Sequence, residues 1–177
     1  MALLLPGCGD SRVRIPNLNK PAAPTSFRAL TYRGAGVSLQ APANWFVVKQ
    51  PAPGVAAISS GDAVVAVWRF PRSTPPPAGS AAMAATAAKL VAAARARDAK
   101  LQLIRSGVVA VGATNGVEVD AFENIAGQLR RVRSTHVFLP GAELVLDEYA
   151  PPAMFHAVDH SVFSPVKRSL RLLPAGQ

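Results

Sequence analysis

The chain has 177 residues and a formal net charge of +9; half its residues are hydrophobic and only 16% are charged. That balance excludes an intrinsically disordered chain and fits one domain with a buried core plus a short tail. One cysteine excludes an internal disulfide, and no apolar run is long enough to cross a bilayer as a helix.

That cysteine closes the segment Met1-Ala2-Leu3-Leu4-Leu5-Pro6-Gly7-Cys8. A leucine run ending in a small residue and cysteine looks like the lipobox of a bacterial lipoprotein, with Cys8 as the lipidation site. The expectation is an extracytoplasmic domain anchored to the cell membrane through Cys8. The apolar run is short and no Lys or Arg precedes it, so residues 1–8 read as a truncated signal remnant whose true start lies upstream. Residues 9–26 carry Pro16, Pro21 and Pro24 without apolar periodicity and read as a disordered linker.

Strands are expected at Phe27–Tyr32, Gly36–Gln40 and Trp45–Lys49, then at Val55–Ser59 and Ala63–Phe70. Pro71–Gly79, with Pro75-Pro76-Pro77, reads as an exposed loop. Ser80–Ala99 is the clearest helix, capped by Ser80, with Met83, Ala87, Leu90, Val91 and Ala94 as its buried stripe. Short strands at Leu101–Arg105 and Gly107–Val111 follow, and Asn115-Gly116 reads as a turn.

Runs Val117–Ile125 and Gln128–Leu139 then form a hairpin, followed by a strand at Glu143–Tyr149. A turn centred on Ile125-Ala126 sets Phe122 opposite Leu129, Asp120 opposite Arg131 and Glu118 opposite Arg133. Those pairs account for the arginine cluster without a ligand. Pro152 suits a helix start, and Met154, Phe155, Val158 and Val162 give a helical apolar stripe that Pro165 interrupts. Ser169–Leu173 ends the domain, expected to cover 27–173, with 174–177 as a tail.

Val37-Ser38-Leu39-Gln40-Ala41-Pro42-Ala43-Asn44-Trp45 resembles the strand-Pro-x-x-Trp opening of PsbP-like and Mog-like proteins. Ala150-Pro151, Phe155, Phe163 and Ser169 to Leu172 resemble the closing segment of the mycobacterial LpqN/LpqT lipoproteins. The resemblance implies an α+β fold, an α/β/α sandwich around a mainly antiparallel sheet. It also implies a non-catalytic adaptor role and supplies no catalytic residue or cofactor.

Three constellations carry chemistry. His156 and His160 stand one helical turn apart, as metal ligands do, with Asp159 where the inverted zincin pattern has Glu. Ser134, His136 and Asp147 can meet across the second hairpin, although no nucleophile elbow is present. Trp45, Trp68 and the Pro71–Gly79 loop are candidate contact features. No phosphate-binding loop occurs, and the basic run Arg130-Arg131-Val132-Arg133 has no stacking aromatic beside it, which argues against nucleic acid.

The leading expectation is a cell-envelope lipoprotein with a non-catalytic binding domain, monomeric and without cofactor, whose partner is an envelope protein or component. The alternatives are a carrier with an apolar cavity between sheet and helix, and a metal-dependent hydrolase using His156 and His160.

Overall fold

The computed structural model describes residues 17–173; Cys8, most of the expected linker and the 174–177 tail lie outside them. Ten strands and three α-helices follow in the order β1 (Phe27–Tyr32), β2 (Val37–Pro42), β3 (Phe46–Lys49), β4 (Gly54–Ser60), β5 (Ala63–Pro71), α1 (Gly79–Arg97), β6 (Gln102–Val111), β7 (Thr114–Ile125), β8 (Gln128–Leu139), β9 (Ala142–Ala150), α2 (Pro152–Val158), α3 (Ser164–Ser169) and β10 (Arg171–Leu172). Strands β3-β4-β5-β9-β8-β7-β6 form one antiparallel seven-stranded sheet, and β1-β2-β10 form a second, smaller one. Helix α1 covers one face of the large sheet; the small sheet and the α2–α3 segment cover the other. This is the expected α+β sandwich, with a small sheet the sequence reading did not separate.

The main core lies on the α2–α3 side, where Val65, Val67, Leu144 and Leu146 of the large sheet meet Leu39, Phe155, Phe163 and Val166. The α1 side buries far less, a cluster of Ala94, Leu101 and Ala121 with Leu103 packed against it. The cause is composition. Alanines let α1 approach the sheet closely but give it little area to bury, and it packs chiefly over β6 and β7. On that side Ala66, Val132 and Val145 are buried, while Trp68, Ser134, His136 and Asp147 are half-buried and Phe70 is exposed.

Several local expectations are corrected. Ala78, not Ser80, occupies the N-cap of α1, with no side-chain hydrogen bond there. Leu101–Arg105 and Gly107–Val111 belong to one strand, with a bulge between Leu103 and Arg105. Asn115-Gly116 lies inside β7, and the reversal falls one step earlier, at Gly112, whose φ is +56°. A Cβ on Gly112 would stand 2.0 Å from the Leu170 carbonyl oxygen, and one on Gly116 would stand 2.7 Å from that of His136. Both glycines serve close backbone approach, which turn statistics do not detect.

The β7–β8 hairpin turns at Ala126-Gly127, with φ of 51° and 79°, the two positive values a type I′ turn requires. Asp120 therefore pairs with Arg133, Phe122 with Arg131 and Glu118 with Thr135, two residues away from the expected register. A shift of two preserves the faces, so acids and arginines still share one side of the sheet.

Pro165 does not end the last helix. A wide π turn over Asp159–Phe163 joins α2 to α3, and Pro165 sits in the first turn of α3. The wider turn accommodates a ring that lacks an N–H donor.

The described part of the expected linker is bound to the domain. The Asn19 carbonyl accepts Asp62 N–H at 2.9 Å, the Ala22 carbonyl accepts Trp45 Nε1–H at 2.9 Å, and Ala22 N–H donates to Ser60 Oγ at 3.0 Å. Trp45, 3% exposed, is thus a core residue that also straps this segment down.

Candidate functional site

Strand alternation decides which side chains meet on the α1 side of the sheet. Ser134 stands opposite Asp147, His136 opposite Val145 and Trp68 opposite Val145 from the other neighbour. With Phe70, Val119, Glu123 and Glu143 they floor a cleft of about 340 Å³, bounded on the α1 side by Leu90, Ala94 and Arg97. The cleft is open to solvent along one side. Trp68 and Phe70 stack at 6.3 Å between ring centroids, and His136 stacks on Phe138 at 6.4 Å. Arg72, from the proline loop, lies 4.8 Å over the Phe138 ring.

The polar groups are wired in pairs. Ser134 Oγ donates to Asp147 Oδ1 in a very short contact. His136 Nδ1 lies 2.7 Å from Glu143 Oε1, whose other oxygen accepts Arg72 Nη1–H at 3.1 Å. The expected grouping of Ser134, His136 and Asp147 therefore exists, with Glu143 as a fourth member that sequence reasoning missed. A serine nucleophile needs its hydroxyl proton taken by a base that a carboxylate orients. Here the hydroxyl donates directly to the carboxylate, and the imidazole is held by a different acid. This arrangement is not that of a nucleophile–base–acid triad.

Burial pushes the Asp147 carboxyl up from its ordinary range, opposed by the Ser134 hydrogen bond. Burial also raises Glu123, with Arg97 opposing and the Asp147 charge adding to the rise. The His136 hydrogen bond is the main cause holding Glu143 below the usual range, against burial, and Arg72 adds to it. Trp68 Nε1 is buried without a hydrogen-bond partner among the described residues. Asp147 is the group it approaches, and that contact helps hold the Asp147 carboxyl down against burial.

A second ionic cluster fills the opposite face. Arg133, 3% exposed in its side chain, donates from Nε to Glu148 Oε2 at 2.6 Å and from Nη2 to Asp159 Oδ1 at 2.6 Å. Lys167 Nζ pairs with Glu118 Oε2, and Arg131 Nη2 pairs with Asp120 Oδ2 at 2.8 Å. Arg105 reaches Glu118 Oε1 at 2.8 Å, although the alignment is poor and that oxygen still lacks a hydrogen bond. Burial pushes the Glu148 carboxyl up to about 7, with Arg133 and Lys167 opposing. Four carboxylates meet four cations here, so the arginines find their counter-charges within the fold.

His156 and His160 are both exposed, on α2 and the π turn. Asp159 between them faces inward, bonded to Arg133 and to Ser164 Oγ at 2.7 Å. No group of three His, Cys, Asp or Glu side chains suited to a metal occurs among the described residues. Among the described residues, therefore, no third ligand joins His156 and His160, and Asp159 is engaged by Arg133 and Ser164. The Pro71–Gly79 loop contributes Pro76, Pro77 and Gly79 to a separate cleft beside Phe138 and Met83.

No family model and no curated protein sequence matches this chain. Solved structures do. The cyanobacterial PsbP protein CyanoP of Synechocystis sp. PCC 6803 superposes over 95% of this chain and 98% of its own, at 12% identity and a TM-score of 0.64. The Ran-binding protein Mog1p of Saccharomyces cerevisiae covers 84% of this chain and 96% of its own, at 9% identity and a TM-score of 0.57. LpqN of Mycobacterium tuberculosis aligns over 88% of this chain and 90% of its own at 13% identity, and its TM-score of 0.49 adds no weight. The fold is PsbP/Mog-like, as the resemblance implied.

Proposed function

We propose that this PsbP/Mog-like chain is a non-catalytic binding domain, tethered through Cys8 to the outer side of a bacterial membrane, that engages a protein or envelope component through the cleft beside α1. The carrying observation is the wiring of that cleft. Its hydroxyl, imidazole and carboxylates hold one another, while the Trp68 and Phe70 rings line the opening. Such a surface recognises an apolar or aromatic group. The yeast protein of this fold is named for binding Ran, so the architecture serves protein recognition elsewhere. The carrier alternative fits less well, because an enclosed apolar cavity is needed to hide a lipid and this cleft is open and half polar.

Two measurements test the reading. Intact mass of the native protein extracted from its own membranes is expected to show a diacylglyceryl adduct on Cys8; an unmodified thiol there contradicts the tether. Hydrolysis of 4-nitrophenyl acetate is expected to be unchanged within twofold in Ser134→Ala, whereas a loss of ten-fold or more contradicts a non-catalytic cleft.

A further inference from the structure

We infer that the acid-free end of the domain, formed by the small sheet, α3 and the β3–β4 turn, is a docking surface for an anionic lipid bilayer. Nine of the ten acidic residues are described, and none falls in 17–61 or 160–173. They lie in the Arg133 cluster, in the α1 cleft, at Asp62 beside Arg130, and at Asp98 after α1. The acid-free segments carry Arg28, Arg33, Lys49, Arg168 and Arg171, and Arg69 projects beside them from β5.

All of these cations except Arg28 line two adjoining concave surfaces that share Thr31. One, of about 570 Å³, presents Arg33, Lys49 and Arg69 around Tyr32. The other, of about 520 Å³, presents Arg168 and Arg171 beside Ser38 and Gln40. The register Thr31–Ser38–Arg171 puts the second on the outer face of the small sheet. Among the described residues no carboxylate lines either surface. Main-chain oxygens position the guanidiniums instead: Arg69 Nη1 donates to Ala35 O at 3.0 Å, and Arg171 Nη1 donates to Arg168 O at 3.0 Å. Fixed, unneutralised cations spread over a broad surface suit an extended anionic plane better than one small anion.

The chain preceding the domain selects the occupant, and in this respect the inference rests on the Cys8 reading above. From Asn19 onward the chain is bonded to the domain at the Ser60–Asp62 turn. Cys8 to Asn17 spans nine peptide steps, at most about 30 Å. Strand β4 carries the fold roughly 20 Å from Ser60 to Gly54, which borders the first basic surface. A lipid on Cys8 thus keeps the basic end within reach of the same bilayer.

The test uses the full-length chain with Cys8→Ser throughout, so the outcome is independent of lipidation, which the mass measurement decides separately. Co-sedimentation is expected with phosphatidylcholine vesicles containing 30% phosphatidylglycerol, at low salt and not at 0.5 M, and not with phosphatidylcholine alone. Arg33, Lys49 and Arg168 have exposed side chains, so their triple Gln variant folds. Each removal is expected to cost about five-fold in partitioning, roughly 100-fold together. A control triple of Lys89, Arg95 and Lys100 to Gln, equal in net charge, is expected to change binding less than five-fold. Equal losses in both triples, equal binding to neutral vesicles, or binding to an oligonucleotide or soluble acidic glycan without binding to vesicles overturns the inference.

Discussion

Replacing Arg133 with Met is expected to lower the unfolding free energy at pH 8 by about 3–5 kcal/mol, enough to leave the domain marginal. Glu148 is fully buried and, among the described residues, Arg133 is its only direct cation, 2.6 Å away. Without the guanidinium, an ionised carboxylate stays in the core with Lys167 as a remote compensation. The pH dependence follows from the direction of its shift. A carboxyl raised to about 7 keeps its proton in the folded state, while the unfolded chain releases it near 4.5. Stability from this group is therefore fullest below about 4.5 and declines as pH rises through the window to about 7. Arg133→Met deepens that decline, so its deficit against wild type shrinks when urea unfolding is repeated at pH 5. The double variant Arg133→Met/Glu148→Met is expected to recover most of the loss at pH 8, because two apolar groups of similar volume replace the pair. A deficit that is the same at pH 5 and pH 8 contradicts the role given to Glu148.

Phe155→Ala is expected to cost a similar amount, about 3–5 kcal/mol, without pH dependence. The ring is fully buried, lies 5.3 Å from Phe163 and supports the Arg131 guanidinium at 4.5 Å. It joins the apolar core to the ionic cluster on the same side of the sheet. Phe46→Ala, at a ring 78% exposed on edge strand β3, is expected to change stability by no more than about 0.5 kcal/mol. Urea melts of the two variants separate a core that sits under α2 from one distributed over both faces.

The residues that the sequence revealed are those whose role is local. Phe155, Val158 and Val162 follow helical periodicity and are buried as that periodicity predicts. The alternation in β2, β5 and β9 likewise sorts Val37, Val65 and Leu144 to the core. What escaped depends on contacts distant along the chain. The Asn115-Gly116 pair imitates a hairpin turn, yet Gly116 is needed for approach to the His136 carbonyl. The linker composition at Asn19–Ser26 gives no sign that Trp45, Ser60 and Asn44 will bind it. In the site, Ser134 and Asp147 were within sight because a hairpin joins their strands. Glu143 was not assigned to His136, since its side chain reaches diagonally past its registered neighbour Phe138. The arginine cluster was assigned to the correct face with a register two residues off. Diagonal pairing of Asp120 with Arg131 preserved the ionic match despite that slip.

The central claim is that the α1-side cleft is the working face of a binding domain, and site-specific photo-crosslinking in native membranes tests it most directly. Benzoylphenylalanine at Phe70, an exposed residue of the cleft floor, is expected to give a discrete adduct with an envelope component; at Lys89, exposed on α1 and absent from the cleft lining, it is expected to give none. Equal adducts from both positions, or an adduct from Lys89 alone, contradict the account.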